Sequence, residues 1–179
     1  TEDRFTPPGI FSQGNNGGIV IGGSPTVNGQ LLLPDLPTPQ TIRIQNSTVN
    51  TSNGTAPAGS TANAGTIFIK ARGEVSVTDD SLVFSAAQAG RQGNSGIVQV
   101  ESGSLSIQNR STLGSDTFAT NSQAGDILIK TGSFSMENGS SLETSAHAQN
   151  SRAGNVILQI ADDAKLINST IFSNLENGA

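Results

Sequence analysis

The sequence predicts an all-β solenoid, a parallel β-helix of about five triangular coils, and three observations predict it. The first is repetition. "AGTIFIKARGEVSVTDDSLVFSA" begins at Ala64, "SGIVQVESGSLSIQNRSTLGSDT" at Ser95, "AGDILIKTGSFSMENGSSLETSA" at Ala124 and "AGNVILQIADDAKLINSTIFSN" at Ala153. Their glycines stand at 65, 96, 125 and 154, so the repeat steps are 31, 29 and 29 residues, the signature of a stacked array. The second is the alternation of apolar with other residues inside each repeat, which is the period of a half-buried strand. The third is composition. Seven Phe, no Trp, no Tyr, no Cys and 21 Gly give too few aromatics for an ordinary compact globule.

Composition also narrows the function classes. Disorder usually combines low hydrophobicity with high net charge, but only 13% of residues are charged and the net is -5. Nine Lys plus Arg against fourteen acids argue against a nucleic-acid surface. No run of about 18 apolar residues spans a bilayer. The lack of cysteine fits a secreted bacterial protein.

Each repeat divides into three strands. Two and four residues after the glycine come Ile67 and Ile69, Val98 and Val100, Ile127 and Ile129, Val156 and Leu158. A second pair follows at Val75 and Val77, Leu105 and Ile107, Phe134 and Met136, Ala164 and Leu166. Single apolar residues at Leu82, Leu113, Leu142 and Ile171 mark a third strand. Neighbouring strands within one repeat point in different directions, so each must pair in parallel with its counterpart one repeat away, about 4.8 Å along the axis.

The frame reaches towards the N-terminus. "IFSQGNNGG" at 10 to 18 echoes "IFSNLENGA" at 171 to 179, which puts Ile10 and Ile171 at one strand position. Ile19 and Ile21 then match the first strand, Ile42 and Ile44 the second and Val49 the third. Ile42 follows Ile21 by 21 positions where later repeats take five or six, so about fifteen residues are inserted. The insert, 22–40, carries an Asn28-Gly29 pair suited to a two-residue hairpin, then the proline-rich "PDLPTP". The organisation expected is an N-terminal segment and partial coil over 1–18, a first coil with the inserted arm over 19–64, and four repeats over 65–179. The tail "ENGA" falls where another first strand is due, and an open solenoid end leaves strand edges that invite pairing, with a longer array or with other copies.

Four features bear on function. The corner after the second strand carries Asn46, Asp79, Asn109, Asn138 and Asn168; several match the glycosylation acceptor pattern, but Asn also tolerates the left-handed backbone of a sharp corner and can hydrogen-bond up a stack, and that structural role is expected. The paired acids at 79–80 and 162–163 lack the short glycine-aspartate repeat of calcium-binding rolls, and His147 has no cysteine or carboxylate at ligand spacing in its loop, so no metal and no cofactor is expected. The outward columns Arg43, Ser76, Ser106, Ser135, Lys165 and Lys70, Glu101, Lys130, Gln159 form no paired-carboxylate site, and no enzyme is expected. Lastly, Val20, Phe68, Leu128 and Ile157, with Gln99, form an outward column that is mostly apolar, read as an interaction stripe or as a surface covered by the N-terminal segment or arm. The loops 50–64, 85–95, 114–124 and 143–153 leave at one corner and are a candidate recognition edge.

The glycine-led strand, the "GSLSI"-like strand, the Asn or Asp corner and "SLETS" together resemble the filamentous-haemagglutinin-like repeats of large exoproteins of two-partner secretion, particularly cyanobacterial ones. The resemblance covers about residues 40–179 well and 10–39 weakly. It implies a right-handed β-helix on the cell surface, serving adhesion, biofilm or sheath formation, without catalytic residues. The resemblance gives no ligand; it implies an outer-membrane transporter engaged through a secretion domain not visible in this chain, while the open strand edges lead us to expect other copies end to end or laterally as partners, and the exposed faces a surface polysaccharide or cell receptor.

Overall fold

The computed structural model describes residues 9–13, 17–22, 26–27, 30–31, 37–54 and 57–176. Among them there is no helix. The strands in chain order are β1 (Gly9–Gln13), β2 (Ile19–Gly22), β3 (Thr26–Val27), β4 (Gln30–Leu31), β5 (Thr41–Gln45), β6 (Thr48–Ser52), β7 (Ile67–Lys70), β8 (Glu74–Thr78), β9 (Leu82–Ala87), β10 (Val98–Ile107), β11 (Thr112–Thr117), β12 (Ile127–Glu137), β13 (Ser141–Ala146), β14 (Val156–Ile160), β15 (Ala164–Ile167) and β16 (Thr170–Leu175).

Every pairing among these strands is parallel except that of β3 with β4, and the chain is a β-solenoid. The first column stacks β2, β7, β10, β12 and β14, so four full turns separate its first rung from its last. The second stacks β5, β8 and the latter halves of β10 and β12, then β15. The third is a six-stranded sheet in the order β1, β6, β9, β11, β13, β16. Like sits on like: Ile67, Val98 and Ile127 align in the first column, Val77, Ile107 and Met136 in the second, Val49, Val83, Leu113 and Leu142 in the third. These ladders form one core, most of it fully buried in the middle coils.

The first two columns are less separate than three independent strands per repeat. They lie in one sheet, and β10 and β12 run through both sides without a break. The bend falls at Gly103 and Gly132, where a Cβ would stand 2.8 Å from the Arg72 carbonyl oxygen and 2.4 Å from that of Gly103. In the second coil the bend is interrupted by the returning insert: Arg72 and Gly73 donate backbone bonds to the carbonyls of Pro39 and Gln40. The insert itself contains the expected hairpin, with Val27 opposite Gln30. The proline-rich residues 34–36, the N-terminal residues 1–8 and the tail 177–179 lie outside the described residues.

Two assignments in the third column change. Leu82 is not the inward residue of β9: it pairs with Thr112, and Val83, fully buried, aligns with Leu113. The reason lies at the corner, which takes two positive-φ residues in this coil, Asp79 and Asp80, as it does at Asn109 and Arg110. The third strand is also longer than its apolar residues indicate, so the loops begin later, after Ala87, Thr117 and Ala146. Its second inward position is polar in every coil. Thr51 and Ser85 both donate to the Gly65 carbonyl (2.5 and 3.1 Å), Ser115 to that of Gly96 (2.9 Å) and Thr144 to that of Gly154 (2.8 Å). In return Gly96 N donates to Ser85 Oγ and Gly125 N to Ser115 Oγ. These bonds satisfy hydroxyls buried inside the coil.

The frame glycines sit on the opposite wall, and their backbones touch. A Cβ on Gly65 would lie 1.9 Å from the carbonyl oxygen of Gly17, one on Gly96 2.0 Å from that of Gly65, and one on Gly125 2.1 Å from that of Gly96. No side chain fits there. The loops leading to these glycines also stack, through Ala64 N to Asn94 O, Ser95 N to Gln123 O and Ala124 N to Arg152 O. They close the third side of the coil as a wall.

Candidate functional site

The third column ends each strand at the same height, so the residue that follows each strand falls into line with its neighbours. Thr117, Ala146 and Leu175 are register partners, and next in chain come Phe118, His147 and Glu176. The Phe118 and His147 rings stack with centroids 4.5 Å apart and planes 6° off parallel. His147 Nδ1 lies 2.8 Å from Glu176 Oε2, and its Nε2 lies 3.2 Å from Oδ2 of Asp116 on β11. Asp116 is only 5% exposed, and its other oxygen accepts the Ser145 backbone N–H at 2.9 Å. One imidazole thus ties three successive coils together.

The electrostatics favour a charged ring. A neutral imidazole has one N–H and can donate to one carboxylate only, whereas imidazolium donates to both. Burial works against the charge of His147, but the hydrogen bonds to Glu176 and Asp116 outweigh it and raise its pKa above the ordinary value near 6.5. Burial raises the carboxyl of Asp116, with His147 pulling the other way. Glu143, on β13 beside this cluster, is raised by burial first and by the charge of Asp116 second. The arrangement is a proton-holding cluster of one base and three acids with an aromatic plate, set on the outside of the six-stranded sheet. Its sequence signal was the repeat step itself: 29 positions before and after His147 stand Phe118 and Glu176. Treating His147 as an isolated loop residue missed it.

The corner residues form a second feature. Asn46, Asp79, Asn109, Asn138 and Asn168 all have positive φ, between 44° and 60°. Asn109 donates to Asp79 at 2.7 Å and Asn138 to Asn109 at 3.1 Å, while Gln45 reaches Asp79 from the coil before. The amide bonds from Asn109 and Gln45 hold the Asp79 carboxyl below its usual range. Beside it, Arg110 makes a two-pronged contact with Asp80 at 2.8 and 2.7 Å.

The outward stripe divides. Val20, Phe68, Gln99, Leu128 and Ile157 do share one column. Val20 is 38% and Ile157 43% exposed, and Leu128 is half-buried, but Phe68 is 3% exposed and presents no surface. Towards the C-terminal coils a groove of about 230 Å³ runs along this face, lined by Gln99, Leu128 and Ile157 of this column and by Glu101, Lys130 and Gln159 of the next outward one. An ion pair of 2.9 Å joins Lys70 to Glu101 at the next position of the rungs. Among the described residues no group of three or more His, Cys, Asp or Glu is placed to hold a metal ion. No family model, curated protein or solved structure matches the chain.

Proposed function

We propose that this chain is a non-enzymatic, secreted cell-surface rod, an adhesin or structural fibre component used in attachment, biofilm or sheath. The observation that carries the reading is the unbroken register: five rungs in each of two columns and six in the third keep like residues stacked, which builds stiffness and flat faces. The outward side chains of the second column, Arg43, Ser76, Ser106, Ser135 and Lys165, fit a face used for contact. The test is retention of chain-coated beads on cells, on biofilm matrix and on a glycan panel, against beads bearing an unrelated β-rich protein. Selective retention supports the reading, and equal retention removes it.

A second reading, binding or cleavage of a polysaccharide, draws on the His147 cluster, where raised carboxyls stand beside an aromatic ring on the outer face. New reducing ends or unsaturated sugars released from a glycan panel, and lost in His147→Gln, support it. Their absence leaves the rod.

A further inference from the structure

The outer face of the six-stranded sheet holds a hollow of about 490 Å³, within the size of small-ligand sites at about 300–1,000 Å³. Its floor is β6, where Thr48, Asn50 and Ser52 alternate with the inward Val49 and Thr51. Its wall is the loop after β9, which contributes Gln88 and Arg91.

Two arrangements keep this hollow open and firm. On the next rung Phe84 is the register partner of Asn50, yet its ring turns the other way: Cδ2 and Cε2 come within 2.6 Å of where a Cβ on Gly114 would stand, on the far side of β9. The glycine receives the ring, and the space over Asn50 stays free of it. The wall is held by Asn53, fully buried, which accepts from Gln88 N at 2.7 Å and donates to Ala62 O at 2.7 Å. Gly59 N to Gly90 O (2.9 Å) and Gln92 N to Ser60 O (3.0 Å) tie the same loop to the coil before.

The lining offers hydrogen bonds and one positive charge. The side chains of Thr48, Asn50 and Gln88 have no hydrogen-bond partner among the described residues. Ser52 Oγ accepts the Gly54 N–H at 3.0 Å and keeps its own proton to donate. Arg91 donates to Ala89 O at 3.2 Å from one nitrogen of a guanidinium, whose five N–H groups form a fork that matches a carboxylate. Positions 44–69 hold no charged residue and 81–100 hold only Arg91, so in a chain of net charge -5 this hollow is locally positive. The acids of the same face, Asp116 and Glu143, stand on β11 and β13, two and three rungs from β6, about 10 and 14 Å.

We propose that this hollow binds uronic acid residues of an acidic polysaccharide: Arg91 takes the carboxylate, and Thr48, Asn50, Ser52 and Gln88 take the ring hydroxyls. The acids on β11 and β13 repel a polyanion laid along the rod, so the chain of sugars crosses the sheet at β6. The inference rests on the adhesin reading and names its ligand.

The probes are tetrasaccharides of α-linked galacturonate and of β-linked mannuronate, titrated calorimetrically into the full chain. At least one should bind, and its methyl ester, similar in shape but uncharged, should bind about tenfold more weakly. Arg91→Gln and Asn50→Leu should each weaken binding by a similar factor. Arg152→Gln, at an exposed loop arginine two repeats further on, should leave it unchanged. Binding of neither probe to wild type would overturn the proposal, as would equal binding of the ester. So would an Arg91→Gln or Asn50→Leu chain that keeps its strand circular dichroism and binds as before, or an equal loss in Arg152→Gln, which reports net charge alone. Bead retention is read separately: wild-type beads that hold to cells or matrix while neither uronate binds leave the adhesin reading standing without this ligand.

Discussion

At the scale of single residues, two sites carry sharp consequences. The corner asparagines hold a left-handed backbone, which costs most residues about 1–2 kcal/mol. Asn109→Ala should therefore lower stability by about 1–2 kcal/mol, and Asn109→Gly should recover most of that loss although it too lacks the amide that reaches Asp79. Thermal unfolding of the pair separates backbone from ladder. His147 makes stability depend on pH. Its pKa is raised in the folded chain, so its contribution is present in full below the unfolded value near 6.5 and is lost as pH rises through the raised folded value. Asp116 and Glu143, also raised, act in the same direction at lower pH, since their burial cost sets in as they ionise. The melting temperature should fall as pH rises above about 6.5 in wild type, and most of that fall should be absent in His147→Gln. The corner was legible in the sequence because Asn and Asp are chosen for backbone reasons. The histidine cluster was not, because Glu176 and Asp116 stand 29 and 31 positions from His147 and meet it only once the register is fixed.

At the scale of elements, the aliphatic ladders were legible because alternation of apolar residues reports directly which side of a strand is buried. The third strand was only half legible. Its inner hydroxyls, Ser85, Ser115 and Thr144, are buried yet polar, so the alternation ended early and the strand read as loop. The partners that make such burial tolerable are glycine carbonyls on the far wall. Ser115→Ala should cost about 1–3 kcal/mol, as it leaves Gly96 O and Gly125 N without that hydroxyl. The glycines marked the repeat in the sequence, but their physical role, backbone against backbone, required the fold. Gly125→Ala pushes a Cβ into the Gly96 carbonyl and should destabilise by about 3 kcal/mol, the upper end for overpacking, because backbone cannot move aside. Gly90→Ala, at φ 76 in open space, should cost no more than about 1–2 kcal/mol. Denaturant midpoints of the two variants order these costs.

At the scale of the whole molecule, each coil touches only its neighbours, so stability is a sum of coils and the contacts between them. Ile127→Asp, at a fully buried position in the fourth rung, should unfold the coils around it, and an unchanged melting temperature would contradict its inward position. The same arrangement governs the response to force. The hydrogen bonds between rungs run along the rod, so tension on the two ends loads those of the outermost coil first and opens them one after another. Each later coil freed in this way releases 29 to 31 residues, about 100 Å of extended chain, and the first coil, from Ile19 to Ile67 with its insert, releases more. A pulling experiment should show a sawtooth with that spacing. Held between two surfaces, such a molecule yields in steps and lengthens many times over before any covalent bond bears the load.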